Sequence, residues 1–160
     1  MGEHRHHPAL LGLFRDVRTD EPKAVHRIAL TSDGEKARID YCKRALGPLK
    51  DCAIKLSADE DVELSLAIGE GIETTLAAMR LGLAPAWALG FADSIRSFPI
   101  LVGIETLTIL VDNDQPDRNG KRAGQDAAAE CGRRWFDAGV EVRRIKPRNV
   151  NDFNDIVTSV

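Results

Sequence analysis

Apolar and polar positions fall into two regimes along the chain. From Val62 onward, short apolar runs alternate with stretches of helical periodicity. Glu63–Ile68 (ELSLAI) reads as a core strand. Ile72–Leu81 places Ile72, Leu76 and Met79, continued by Leu83, at the spacing of one helix face, with Gly82 positioned as a C-cap. Ala86–Leu89, bounded by Pro85 and Gly90, predicts a short strand. Ala92–Ser97 predicts a short helix with Pro99 beyond its end. Leu107–Asp114 (LTILVDND) is apolar or β-branched at nearly every position until Asp112 and Asp114, as expected of a strand buried on both faces of a parallel sheet. After the loop Gln115–Gly120, Lys121–Asp137 repeats Ala123, Ala127, Cys131 and Trp135 along one face and stops at Gly139. Val140–Ile145 alternates like a strand, and Asn151–Val157 opens a last short helix. The β-α-β-α-β-α-β-α order predicts an α/β fold, a parallel sheet flanked by helices and joined by right-handed crossovers.

Before residue 62 the pattern is that of a small β unit. Ala9–Val17 and Lys23–Leu30 predict two strands, and the polar turn Arg18–Pro22 joins them into a β-hairpin. A second turn, Thr31–Gly34, closes it. Lys36–Ala45 is basic and loosely amphipathic, compatible with helix or loop, and Gly47-Pro48 ends it. Cys52–Leu56 predicts a further short strand, and Asp59-Glu60-Asp61 an acidic turn. The chain therefore divides into a β-hairpin-containing extension, residues 1–61, and an α/β unit, residues 62–160.

Composition narrows the classes. With 43% hydrophobic and 29% charged residues, the 160-residue chain is that of a globular protein. A net charge of −3 gives no global argument for nucleic acid, so any such binding must come from a local patch or from metal-bridged phosphates. Cys42, Cys52 and Cys131 are odd in number and lack C-x-x-C spacing, the usage of a cytoplasmic protein with reduced thiols. No run reaches the roughly 18 apolar residues of a membrane span, and the start, MGEHRHHP, lacks the apolar stretch of a signal peptide. His4, His6 and His7 are either weak transition-metal ligands or a frayed terminus.

Three acidic groups follow three predicted strand ends: Glu70, Asp112 with Asp114, and Asp152 with Asp155. In open α/β sheets that edge is where ligands bind. Along extended chain, residues i and i+2 face one side, so Asp112 and Asp114 can address one point. Like charges gathered there cost stability unless a cation neutralises them, and oxygen donors suit Mg²⁺. The competing explanation is helix capping, by Asn113 or Asp114 and by Asn151 or Asp152. Gly69 and Gly71 permit close approach of a ligand, and the helix start beyond them offers N–H groups to an anion. Arg118, Lys121 and Arg122, and in the extension His26, Arg27 and Lys55, are either phosphate contacts or ordinary solvated charge.

The segments I-G-E-G-I-E-T-T-L-A (Ile68–Ala77), L-V-D-N-D-Q-P-D-R-N-G-K-R-A-G (Leu110–Gly124) and N-D-F-N-D-I (Asn151–Ile156) resemble the Toprim domain of primases, type IA and type II topoisomerases and certain nucleases. The resemblance spans about residues 62 to 157, and Asp152-Phe153-Asn154-Asp155 looks like the primase and primase-helicase branch. Val25–Arg27 and Ala53–Leu56 are similar to the region ahead of Toprim in phage- and plasmid-type bacterial primases. The resemblance implies a Rossmann-like Toprim sheet that binds Mg²⁺, with Mn²⁺ an alternative. It implies Glu70 as acid/base or metal contact, Asp112 and Asp114 as catalytic metal ligands, and Asp152 and Asp155, the extra acidic positions of primases, as further metal ligands. It implies nucleotide or nucleic-acid contacts from Arg27, Lys55, Gly71, Lys121 and Arg122. Where the family often has an aspartate four residues after the glutamate, this chain has Thr74; Glu73 precedes it, rotated about 100° around the helix. One metal is therefore implied more directly than two.

The implied activity is primer synthesis in DNA replication, by nucleotidyl transfer from nucleoside triphosphates on single-stranded DNA. The alternatives are a Toprim nuclease and a non-catalytic metal- and nucleic-acid-binding module acting with a helicase. No Walker A motif and no four-cysteine zinc pattern occur, so a helicase or zinc-binding module would act in trans or in a longer chain. Tyr41 is the sole tyrosine and lies far in sequence from the acidic positions, which argues against a topoisomerase nucleophile.

Overall fold

Alternation sets the hairpin. In the computed structural model, which describes residues 7–113, 115, 120, 122–148 and 150–158, β1 (Ala9–Asp16) and β2 (Pro22–Ala29) pair antiparallel, with Leu11 opposite Arg27 and Leu13 opposite Val25. Phe14, Ala24 and Ile28 fall on the inner face and are buried. The basic stretch left open between helix and loop resolves into strand: β3 (Lys43–Leu46) lies along the free side of β2, with Arg44 opposite Arg27. It has no apolar helical stripe, and the turn at Gly34 (φ +85°) returns the chain beside an edge whose backbone groups need partners. β4 (Cys52–Lys55) pairs with β1 on one side and with β6 on the other. That second pairing makes the hairpin region and the α/β region one sheet. A single 3₁₀ turn, Asp59–Asp61, follows where the acidic turn is expected.

From there the elements alternate as predicted: β5 (Ser65–Gly69), α1 (Ile72–Arg80), β6 (Ala86–Ala88), α2 (Ala92–Ser97), β7 (Thr106–Leu110), α3 (Ala123–Asp137), β8 (Glu141–Ile145) and α4 (Phe153–Thr158). The eight-stranded sheet runs β3-β2-β1-β4-β6-β5-β7-β8. β6, β5, β7 and β8 are mutually parallel, and the pairs from β3 to β6 are antiparallel. Leu66, Ile68, Leu107 and Ile109 pack on one face with Ile95 of α2 and Ala127, Ala128, Cys131 and Trp135 of α3. Leu110 turns to the other face and meets Ala77 and Ala78 of α1 and Phe153 of α4. A third cluster joins Phe14, Ala24, Ile28 and Ile54 to Ile72 of α1 and Ala88 of β6. Among the described residues no helix is long and apolar enough to cross a membrane.

α1 corrects the expected buried face. Leu76 is 42% exposed, whereas Thr75 is wholly buried with Ala78. The helix approaches β5 so closely that only small side chains fit between them: a Cβ on Gly69 would stand 2.3 Å from Thr75 Oγ1. Cys42, Cys52 and Cys131 are free thiols, and burial pushes Cys131 up to about 11 against the opposing charge of Arg134.

Candidate active site

The parallel strands all end at one edge, and backbone hydrogen bonds continue past them. Leu89 N–H donates to Gly69 O and Gly90 N–H to Glu70 O, both at 2.8 Å, tying the loop after β6 to the loop after β5. Beyond β7, Val111 N–H donates to Ile145 O at 2.9 Å, Asn113 N–H to Asn151 O at 2.6 Å, and Asn113 Nδ2 to Val150 O at 3.3 Å. Asp112 is thereby held beside the segment that leads to Asp152. These bonds join the loops after β5 and β6 as one pair and the segments after β7 and β8 as another, along the edge that carries the acidic positions.

Glu70 leaves β5 and turns toward the segment that follows β7. Its Oε2 lies 3.5 Å from where a Cβ on Gly124, in the first turn of α3, would stand. A Cβ at 124 would sit in ordinary van der Waals contact with that carboxylate. Gly71 is the N-cap residue of α1, in extended conformation, and its carbonyl accepts both the N–H and, at 2.7 Å, the hydroxyl of Thr75. Asp152 and Asp155 do cap α4: Asp155 N–H donates to Asp152 Oδ1 at 2.9 Å, and Asn151 N–H to Asp155 Oδ2 at 3.0 Å. One oxygen of each is thus engaged with backbone, the capping explanation raised by the sequence. Asp114 and Lys121 lie outside the described residues, as do His4, His6 and Arg118; His7 is exposed. Among the described residues no three His, Cys, Asp or Glu side chains gather closely enough to hold a metal ion.

The extension supplies cations to this edge, and not the ones expected. Lys36, in the segment between β2 and β3, is bonded to Glu73 Oε1 at 2.9 Å, and Lys43 lies 3.7 Å from Glu73 Oε2. Burial works to raise the Glu73 pKa, but the hydrogen bond from Lys36 and the charges of Lys43 and Lys36 outweigh it and hold the carboxyl below its ordinary value. Burial likewise opposes the charge on Lys36, and the Glu73 bond with the charges of Glu73 and Asp152 keeps its pKa raised. A cavity of about 180 Å³ lies between the hairpin region and the edge, walled by His26, Lys43, Arg44, Glu70, Gly71 and Glu73 among others. His26 is 6% exposed, and its pKa is lowered by burial and by Lys43 against the pull of Glu73.

Arg27 and Lys55 do not join this cavity. Arg27 follows His26 on β2, so strand alternation turns it to the opposite, exposed face. The Lys55 side chain is 5% exposed, bonded to Asp20 Oδ1 at 2.9 Å and Asp59 Oδ2 at 2.6 Å, with its ammonium 4.8 Å from the centre of the Trp87 ring. It clamps the hairpin turn to the 3₁₀ turn. Arg122 is exposed just before α3, with Nη1 3.5 Å from Gln125 Oε1. The cations that do reach the edge, Lys36 and Lys43, come from a stretch whose path could not be read from periodicity, its basic character being the available signal; Arg44, opposite Arg27, shares that outer face and lies over the Tyr41 ring.

Residues 65–160 match the model of the Toprim domain family, and residues 1–56 match that of a domain of unknown function, DUF7146. No curated protein matches the chain. Among solved structures, the chain is similar to a DNA primase domain from Pseudomonas aeruginosa (17% identity, TM-score 0.55, covering 92% of this chain and 52% of that one). It is similar to the DnaG catalytic core (19%, 0.59, 94% and 48%) and to the DnaG primase catalytic domain bound to ssDNA (17%, 0.57, 94% and 48%). At these identities the likeness is one of fold, and the chain spans about half the length of each structure.

Proposed function

This chain belongs to the Toprim family, and from that membership we propose that it performs divalent-metal-dependent nucleotidyl transfer of the primase type, extending a primer along single-stranded DNA. The observation that carries the reading is the reach of the Glu70 carboxylate from the end of β5 to the first turn of α3, directly after the loop of Asp112 and Asp114. Glu70 and the Asp112–Asp114 pair follow two separate strand ends on the same edge, and carboxylate oxygens are donors that fit Mg²⁺ or Mn²⁺. Asp112 and Asp114 are the proposed ligands, with Asp152 and Asp155 as further proposed metal contacts. The cation would offset charge on the phosphoryl oxygens. Glu70 contacts the cation or holds the proton of the attacking hydroxyl.

The remaining groups bind phosphate. The start of α1, from Gly71 to Glu73, lines the cavity together with Lys43, an arrangement suited to a nucleoside triphosphate. Lys121 and Arg122 follow the aspartate loop and are proposed to contact phosphate there. Arg27 and Lys55 are given no part in it, for the geometric reasons above. A helicase or a zinc-binding module is the proposed partner, in the cytoplasm, where free thiols stay reduced.

The test is nucleotide incorporation on a single-stranded template, with Mg²⁺ and with Mn²⁺, in wild type and Asp112→Asn. Removing a ligand that supports several kcal/mol of charge stabilisation predicts a loss of about 100-fold or more. Equal incorporation by the variant would refute the assignment. Asp112-dependent cleavage of DNA without nucleotides, and no incorporation, would establish the nuclease instead.

A further inference from the structure

We propose that the groove between α3 and β8 carries the sugar–phosphate backbone of a single nucleic-acid strand to the acidic edge. The inference rests on the reading above for what lies at the groove's end, and on the groove itself for the ligand's charge. The cavity there is about 450 Å³ and is lined by Val111, Gln125, Ala128, Val142, Arg144 and Lys146. Val111 immediately precedes Asp112, so the groove opens onto the acidic edge. β8 is the last strand of the sheet, which leaves its outer side uncovered.

The charge is local and directed. Arg143, Arg144, Lys146 and Arg148 fall within six consecutive positions of a chain whose net charge is −3. Arg144 and Lys146, two residues apart, share one side of the extended chain and line the groove together. Arg143 points elsewhere and is bonded to Glu141 at 2.9 Å. Among the described residues neither Arg144 nor Lys146 has a carboxylate partner. At the inner end, Gln125 Nε2 is a buried donor with no acceptor among the described residues. Cations on an edge strand also deter pairing with another chain, but that role calls for neither a groove nor an inward donor. The lining contains no aromatic ring, so contact is with phosphates and not with stacked bases, and binding along it is indifferent to sequence.

The test is fluorescence anisotropy of labelled oligothymidylate and of a mixed-sequence strand across a salt series, using the full chain. Arg144→Gln/Lys146→Gln is compared with a control pair of exposed cations elsewhere, Lys50→Gln/Arg80→Gln, and with the charge-preserving Arg144→Lys/Lys146→Arg. Loss of two phosphate contacts predicts a slope of log K against log salt shallower by about 1.4, at roughly 0.7 per phosphate on a single strand. The change is expected to be equal for both strands and absent from the other two variants. A wild-type slope in the glutamine variant, an equal loss in the control pair, or no salt-dependent strand binding by wild type overturns the proposal. So does inorganic tripolyphosphate that binds with the same dependence on Arg144 and Lys146, since the groove would then hold polyphosphate and not a strand. Nucleotide incorporation measured alongside separates the two ideas. Asp112-dependent incorporation with an unaltered slope sinks the groove alone; a groove effect without incorporation by wild type sinks the transfer reading alone.

Discussion

Gly69 stands where β5 passes the chain to Glu70, and packing, not backbone conformation, demands a glycine there. Its φ is outside the left-handed region, yet a Cβ would collide with the hydroxyl of the fully buried Thr75. Gly69→Ala is expected to cost about 1–3 kcal/mol, seen as a lower urea midpoint at unchanged m. Adding Thr75→Ala removes the obstruction along with one hydrogen bond, so the double variant should lose less than the sum of the singles. Glu73 makes a second prediction. Its folded pKa lies below the ordinary 4.5, so the stability it contributes is present above that value and is lost as pH falls through the depressed one. Calorimetry of Glu73→Gln should give a transition lower by about 0.5–1 kcal/mol at neutral pH, allowing for solvent around the pair, with the wild-type difference closing in acid. An unchanged gap at low pH would sink this account. The acidic positions themselves were legible in the sequence, because each follows an apolar run. The contact of Gly69 with Thr75 was not, since it depends on how near α1 approaches β5, and the glycine looked equally suited to ligand approach.

Among the elements, β2 and β4 decide which cations reach the edge. A strand sends neighbours to opposite faces, so His26 and Arg27 cannot both face the cavity, and burial of His26 with Phe14 and Ile28 settles the choice. The sequence predicted the strand but not its facing, because Val25 and Ile28 are apolar on opposite sides. β4 was equally legible as a strand, while the partners of Lys55, Asp20 and Asp59, come from turns on either side of it in the chain. Lys55 is thus assigned to holding elements together. Lys55→Met keeps the stem over Trp87 and removes the charge, and it should lower Tm by about 2–4 °C. Strand binding, measured as above, should stay at the wild-type level; a reduced salt slope in this variant would return Lys55 to the nucleic-acid interface. The buried face of α1 differs from its apolar spacing for a related reason. Helical spacing finds large apolar residues, and this interface selects small ones, leaving Leu76 outside.

Two family matches, residues 1–56 and 65–160, meet on either side of the 3₁₀ turn, near the division after residue 61 that the change of pattern suggests. We take that division as one of sequence families and not of folding units. The sheet crosses it without a break where β4 pairs with β6, Ile54 opposite Ala88 and Lys55 opposite Trp87. The core of the hairpin region is completed by Ile72 and Ala88 from the other side. The hairpin region cannot complete its apolar face alone, since Ile72 and Ala88 belong to the other part, whereas the α/β part keeps most of its own core and loses chiefly the cover over those two. The whole chain should therefore melt in one transition, with the van't Hoff and calorimetric enthalpies equal. Residues 65–160 alone should melt at a lower temperature, because β6 becomes an open edge with Ile72 and Ala88 uncovered. Two resolved transitions in the whole chain, the upper coinciding with that of the isolated piece, would show that the parts fold independently. The cavity between them would then lie at a junction of two units, whereas a single transition makes the elements that wall it one cooperative unit.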